Sequence, residues 1–180
     1  MSTRYLSIAQ TAEKIGVSTQ TIWRYLRIDP TFPRARYLFS AREWAYWSAA
    51  EDDEYGPVIE DSVRPIVDAD LAELVDDDAV LCEEVRLQPT PGHTPGHVSV
   101  VIESAGQRAL ITGDFVHHPC QLARPDWGSS ADWDPVAARS TREATLGDLA
   151  DAPVLVIGTH FATPTAGHVK RDGEVFRFEV

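Results

Sequence analysis

The chain has little cysteine and no long hydrophobic segment. Its two cysteines among 180 residues, Cys82 and Cys120, are too few for a disulfide framework and form no Cys-x-x-Cys pair. No apolar run approaches the roughly 18 residues of a membrane span, and Met1-Ser2-Thr3-Arg4 leads into no signal-type apolar segment. We therefore expect two buried free thiols, a cytoplasmic protein and no membrane partner.

Histidine is absent from the first half of the chain. All six histidines lie at or after residue 93, and nearly all of them stand beside Gly, Pro or Thr. A hydrolytic zinc centre normally needs three or more protein ligands per ion and an open position for water. Histidine ligands can therefore come only from the second half of this sequence.

Charge is unevenly distributed along the chain. The net charge is −12, from 16 basic and 28 acidic residues. Residues 1–48 contain seven basic and three acidic side chains, whereas residues 49–88 contain two basic and fourteen acidic ones. A basic segment joined to an acidic body indicates two parts with different roles. The length and a hydrophobic fraction of 43% allow one ordinary domain, or a small domain joined to part of a larger one.

The N-terminal segment, residues 1–30, has the pattern of two short helices. Ser7 and Gln10 form a capping box, which predicts a helix that ends at Gly16. Ser18 is placed to cap a second helix that ends before an Asp-Pro pair. Two short helices joined by a turn that contains glycine predict a helix-turn-helix.

This segment resembles the helix-turn-helix of the excisionase and AlpA-like regulators. The likeness is carried by Tyr5-Leu6-Ser7, Gly16-Val17-Ser18 and Thr21-Ile22-Trp23. It implies DNA as a partner, with three outward-facing side chains of the second helix in the major groove: Thr19, Gln20 and Arg24. A helical hairpin that only packs against the rest of the protein is the alternative interpretation.

Residues 31–180 contain several predicted strands. Val98–Ile102 and Arg108–Thr112 form a predicted hairpin around Ala105-Gly106. The other predicted elements are strands at 85–88 and 154–157, a long loop at 115–133, a helix at 135–150 and a closing hairpin that turns at Asp172-Gly173. The pattern predicts an α+β fold.

Three candidate metal ligands follow the ends of predicted strands. His93 lies in the loop Thr90-Pro91-Gly92-His93-Thr94-Pro95-Gly96-His97, Asp114 follows the second hairpin strand, and His160 follows the strand at 154–157. Ligands this distant in sequence converge where neighbouring strands end at one edge of a sheet. Imidazole nitrogens and a carboxylate suit zinc, with iron or manganese as alternatives.

These motifs together resemble the C-terminal portion of the metallo-β-lactamase-fold hydrolases, nearest to the branch of lactonases and organophosphate hydrolases. The resemblance covers residues 31–180 and is carried by Pro-Gly-His-Thr-Pro-Gly-His, Thr-Gly-Asp and Gly-Thr-His. It implies that His93 binds a first metal ion, that Asp114 bridges two ions and that His160 binds the second. It also implies an αββα sandwich of two sheets between helical layers.

The other histidines receive different interpretations. His97 is predicted to orient the histidine loop without binding metal, and His118 to line a substrate pocket. His117 and His168 are interpreted as having no role at the site. No catalytic residue is assigned from the sequence.

The chain departs from this family at its first metal motif, because His-x-His-x-Asp-His occurs nowhere in the sequence. The resemblance implies that this motif supplies two ligands of the first ion and at least one of the second. We therefore expect weak or partial zinc occupancy, with hydrolysis absent or much reduced unless a second copy or another chain completes the site. The missing portion would also supply most of one sheet, so we expect an incomplete sandwich, as in a truncated or recombined product.

Two classes of function follow from the sequence. The first is a metal-dependent hydrolase of the metallo-β-lactamase fold, impaired by the missing motif and acting on a small ester, lactone or phosphoester. The second is a DNA-binding regulator of the excisionase or AlpA type, whose C-terminal domain is a relic or a ligand sensor.

Overall fold

A computed structural model of the chain describes residues 32, 34–49 and 59–180. The predicted helix-turn-helix of residues 1–30 lies outside these residues, together with Thr19, Gln20 and Arg24. The chain divides into two compact units, of which the first comprises residues 1–39 and 47–73 and the second residues 40–46 and 74–180.

The described residues form eight strands and four α-helices in a mixed α+β fold, the class that the sequence predicts. In chain order these are β1 (Tyr37–Ser40), α1 (Ala41–Trp47), α2 (Arg64–Asp68), β2 (Ala72–Val75), β3 (Val85–Pro89), β4 (Val98–Ser104), β5 (Gln107–Ile111), α3 (Cys120–Ala123), α4 (Pro135–Leu149), β6 (Val154–Ile157), β7 (Ala166–Asp172) and β8 (Val175–Glu179). A π-helical turn at Ile59–Val63 runs directly into α2. None of the described helices is both long and apolar enough to span a membrane.

A six-stranded sheet in the order β3-β4-β5-β6-β7-β8 forms most of the second unit. Neighbouring strands are antiparallel except β5 and β6, which run parallel and are connected through α4. Because β4 is antiparallel to both β3 and β5, the strands β3, β5 and β6 all point in one direction. Their carboxyl ends therefore meet at one edge of the sheet, the site edge.

Local sequence explains the two hairpins of this sheet. Ala105 and Gly106 both have positive φ, 51° and 74°, as a two-residue type I′ turn requires, so the predicted turn is confirmed. In the closing hairpin the pairing of Asp172 with Val175 places Gly173 and Glu174 in the turn. The predicted turn at Asp172-Gly173 is therefore wrong by one residue.

Helix α4 packs one face against the sheet. Asp134 caps it by accepting the backbone N–H groups of Val136 and Ala137, and Pro135 begins the first turn, where a missing N–H costs nothing. Its buried residues recur at helical spacing: Ala138, Arg142, Thr145, Leu146 and Leu149. The apolar core that they join also contains Val101, Leu110, Phe115, Val116, Leu122, Val154, Val156, Phe161, Val169 and Phe176.

Both cysteines are free and exposed, so the prediction of buried thiols is wrong. Cys82 lies in the bend before β3, and Cys120 begins the short helix α3. The bend and this four-residue helix both lie in the stretches that join longer elements, and such stretches run over the surface of a protein.

Candidate metal centre

The histidine loop, residues 90–97, is closed by its own backbone. The N–H of Thr90 donates to the carbonyl of His97 over 2.8 Å, and the carboxylate of Glu43 accepts the N–H of Gly96. Gly92 has a φ of 129°, and a side chain there would meet the backbone of α4 at Ala138, 2.2 Å from its nitrogen. The loop therefore depends on glycine to bring His93 close to the start of α4.

His93 is held between two carboxylates at the site edge. Its Nε2 lies 3.4 Å from Oδ2 of Asp114, and its Nδ1 lies 3.1 Å from Oδ1 of Asp132. An ionised carboxylate can only accept, so His93 donates its Nδ1–H to Asp132, and its Nε2 faces Asp114. This is the arrangement in which histidines commonly bind metals.

Asp114 stands between two histidines. Its Oδ2 faces His93, and its Oδ1 lies 3.2 Å from Nε2 of His160. The His93 side chain is 14% exposed, whereas that of His160 is 51% exposed. The three predicted ligands therefore lie at one place, with Asp114 in the middle.

His117 also belongs to this cluster, although the sequence interpretation gave it no role. One of its ring nitrogens lies within 4.8 Å of ligand atoms of both His93 and Asp114. Its Nδ1 is buried and has no hydrogen-bond partner among the described residues. Burial, followed by the nearby His93, lowers the pKa of His117, which favours the neutral imidazole that binds metals. The only signal in the sequence is its position three residues after Asp114.

His97 orients Asp114 through a hydrogen bond to its backbone. The backbone N–H of Asp114 donates to Nε2 of His97 over 2.7 Å, so His97 carries its proton on Nδ1. The Nδ1–H group faces Thr90. The Nδ1 atom lies 3.0 Å from the carbonyl oxygen of Thr90 and 2.8 Å from its hydroxyl oxygen. Burial lowers the pKa of His97, more than its hydrogen bond to Thr90 raises it. Both ring nitrogens are thus occupied, and His97 contacts the cluster without offering it a free nitrogen.

Asp132 and Arg142 form a buried pair behind His93 that sequence reasoning missed. The side chains of both are fully buried, and Nη2 of Arg142 lies 3.6 Å from Oδ2 of Asp132. Arg142 also donates to the carbonyls of Phe115 and Pro125, each over 3.0 Å. One helical side chain therefore joins the segment after Asp114 to the carboxylate that holds His93.

The remaining histidines lie elsewhere. His118 is exposed, and its Nδ1 accepts the backbone N–H of Cys120, so the structure places it at the start of α3. His168 donates its Nδ1–H to the carbonyl of Val154 over 2.9 Å, within the sheet. Neither side chain belongs to the three-residue group formed by His93, Asp114 and His117.

The donors at the site edge fit a transition-metal ion. Imidazole nitrogens and a carboxylate oxygen are the ligand types of zinc and of several other divalent metals. Ligand atoms of His93, Asp114 and His117 all lie within 4.8 Å of one another, so small adjustments would bring them around one ion. The buried, unpartnered nitrogen of His117 is a further reason to expect an ion here.

Comparisons with known proteins give one family model and several solved structures that are similar to this chain. A model of the metallo-beta-lactamase superfamily matches residues 28–160. A structure of AidC, a dizinc quorum-quenching lactonase with a bound product, superposes with a TM-score of 0.76, 24% identity, and coverage of 84% of this chain and 56% of AidC. No curated protein matches the sequence.

Two further solved structures are similar in fold. The hydrolase AbOPH of the beta lactamase superfamily gives a TM-score of 0.72 at 22% identity, with coverage of 83% of this chain and 56% of AbOPH. A probable metal-dependent hydrolase from Staphylococcus aureus gives a TM-score of 0.60 at 17% identity, with coverage of 83% of this chain and 53% of that hydrolase. The chain thus spans little more than half the length of these proteins.

Proposed function

The chain belongs to the metallo-beta-lactamase superfamily, and from this premise we propose that it is a zinc-dependent hydrolase of carboxylic esters or lactones. The observation that carries the proposal is the position of Asp114, whose two carboxylate oxygens face His93 and His160. The lactonase activity named for AidC indicates the kind of substrate to test first. Phosphoesters are the second class to test.

Each residue of the cluster has a distinct part in this proposal. His93, Asp114 and one further histidine would hold the ion. Asp132 fixes the ring of His93, and His97 fixes the backbone of Asp114. When bound, zinc would polarise a carbonyl group and lower the pKa of a water molecule that it binds to about 7.

We propose, too, that zinc occupancy is weak and that hydrolysis is slow. The basis is the absence of His-x-His-x-Asp-His from the sequence. We also propose that the αββα sandwich of the family is incomplete in this chain. If a second copy or another chain supplies the missing ligands, specific activity will rise with protein concentration or on addition of that chain.

The test combines metal content with hydrolysis. Purified protein would be stripped with a chelator, reloaded with zinc and assayed on N-hexanoyl homoserine lactone, p-nitrophenyl acetate and a phosphotriester. We expect zinc-dependent hydrolysis of the lactone or ester that is lost in Asp114→Ala and retained in His168→Ala, a histidine bonded within the sheet. Equal rates for the two variants, or activity that survives the chelator, would sink the proposal.

A further inference from the structure

We propose that this chain binds one metal ion through His93, Asp114 and His117, with His160 outside the coordination sphere. The inference deepens the proposed function, since it states how the same site would hold its ion. It assigns to His117 a role that neither the sequence motifs nor the predicted ligand set includes.

The mutual spacing of the ligand atoms, taken three at a time, favours His117 over His160 as the third ligand. At zinc–ligand bond lengths of about 2.0–2.2 Å, two atoms on one ion lie within roughly 4.4 Å of each other. His93, Asp114 and His117 form a group in which every pair of ligand atoms lies within 4.8 Å, slightly wider than this limit, and it is the single group of three found among the described residues. His160 approaches Asp114 to 3.2 Å but joins no such group.

The chain segment that carries His117 is firmly held. The backbone N–H groups of His117 and His118 both donate to Oε1 of Gln121, over 2.7 and 3.2 Å. Gln121 is buried and donates its own amide to the carbonyl of Trp127 over 2.9 Å. Such a framework keeps the ring of His117 at the cluster without the entropy cost of ordering a free loop.

The ring of His117 has no competing partner in the described part of the chain. Its centroid lies 5.0 Å from that of His93 and 5.0 Å from that of His160, so it contacts both rings. Its Nδ1 is buried without a hydrogen bond, whereas His97 has both nitrogens engaged. His160 is half exposed, and a histidine in contact with water is less constrained to one orientation.

This ligand set would need nothing from the N-terminal half. All three ligands lie between residues 93 and 117, and together they supply two imidazoles and one carboxylate. Three protein ligands leave the fourth tetrahedral position open, as in catalytic zinc sites. The absence of His-x-His-x-Asp-His would then reduce the number of ions to one without removing the site.

The experiment measures binding of zinc alone and of cobalt alone, without any substrate. Metal-free protein and the variants His117→Gln, His160→Gln and His168→Gln would be titrated against a chromophoric chelator, and the visible cobalt spectrum recorded. We expect one ion per chain and an affinity loss beyond about 100-fold in His117→Gln, more than outer partners of a ligand usually cause. His160→Gln and His168→Gln should keep both the affinity and the cobalt spectrum. Circular dichroism and a second variant, His117→Ala, separate loss of the ligand from loss of the fold.

The outcomes distinguish this inference from the proposed function. Two ions per chain, or a loss of metal affinity in His160→Gln that equals the loss in His117→Gln, would overturn the single-ion site. Either result would leave the proposed hydrolase function standing. One ion bound as described, with no hydrolysis of any substrate, supports the site and removes the proposed function. Protein that binds neither metal overturns both.

Discussion

The Nδ1 atom of His93 lies 3.1 Å from Oδ1 of Asp132, whose side chain is fully buried. The other oxygen of Asp132 accepts the N–H of Ser129 over 2.9 Å and lies 3.6 Å from Nη2 of Arg142. The position of His93, a candidate metal ligand, therefore depends on the buried pair of Asp132 and Arg142, and Arg142 lies in the middle of α4. Five predictions rest on this relationship and on the contacts around it.

Asp132→Asn should weaken zinc binding by about 10–100-fold, because the neutral amide no longer fixes the proton and orientation of His93 as a carboxylate does. The affinity is measured by competition with a chromophoric chelator. Asp126→Asn is the matched control, since Asp126 is an exposed carboxylate that pairs with Arg124. An Asp132→Asn protein that binds zinc like the parent would show that this contact does not position the ligand.

Arg142→Met should lower the free energy of unfolding by about 3–5 kcal/mol, because it leaves the buried Asp132 without its cation and two carbonyls without their donor. Urea unfolding measures the change. Arg139→Met removes an exposed ion pair with Glu143 on the same helix and should cost no more than about 0.5 kcal/mol.

The same pair allows a double-variant test. Adding Asp132→Asn to Arg142→Met should recover part of the lost stability, since the second change removes the uncompensated charge. Strictly additive losses would mean that the two groups do not interact.

Gly92→Ala should destabilise the protein by more than about 1 kcal/mol and weaken zinc binding. A Cβ at this position meets the backbone of α4 at Ala138, 2.2 Å away, and the φ of 129° is unfavourable for alanine. Gly147→Ala is the contrast within α4, because nothing lies within 4 Å of its Cβ position. That variant should gain about 0.5–1 kcal/mol from helix propensity. Thermal unfolding of the two variants side by side decides the matter, and equal shifts would contradict the proposed close approach.

His97→Ala should leave zinc bound but with lower affinity, by about tenfold, because Asp114 loses the acceptor of its backbone N–H. It should also cost about 1–2 kcal/mol of stability through the unpaired groups of Asp114 and Thr90. His118→Ala, which changes an exposed histidine, should alter neither quantity. If His97→Ala abolished binding altogether, His97 would have to be a ligand itself.

The strands and their ends were predictable because they depend on local pattern. Short runs of aliphatic residues mark β4 and β5, Ala105-Gly106 marks their turn, and Asp134 with Pro135 marks the start of α4. Side chains placed just after parallel strand ends must share one edge of the sheet. His93, Asp114 and His160 were therefore accessible to sequence reasoning before their distances were known.

The partners of these residues were not predictable in the same way. Asp132 and His117 lie in the segment between β5 and α4, which has no periodicity and which the sequence predicts as a long loop, with no role at the site for His117. Asp132 reaches His93 across 39 residues, and the path of that segment is set by Gln121 and Arg142. The exposure of Cys82 and Cys120 escaped prediction for a related reason, since burial in a connecting segment depends on what packs over it.

The sequence by itself determined which chemical groups this protein brings to the edge of its sheet: imidazoles and a carboxylate after β3, β5 and β6, with no first histidine motif before them. Only the tertiary structure decided that His117 joins them, and that a buried arginine and aspartate hold His93 in place. The physical reason is the separation along the chain between the residues that interact. Strand patterns and turns follow from neighbouring residues, whereas metal-site geometry and buried charge pairs depend on side chains that approach one another only after the chain has packed.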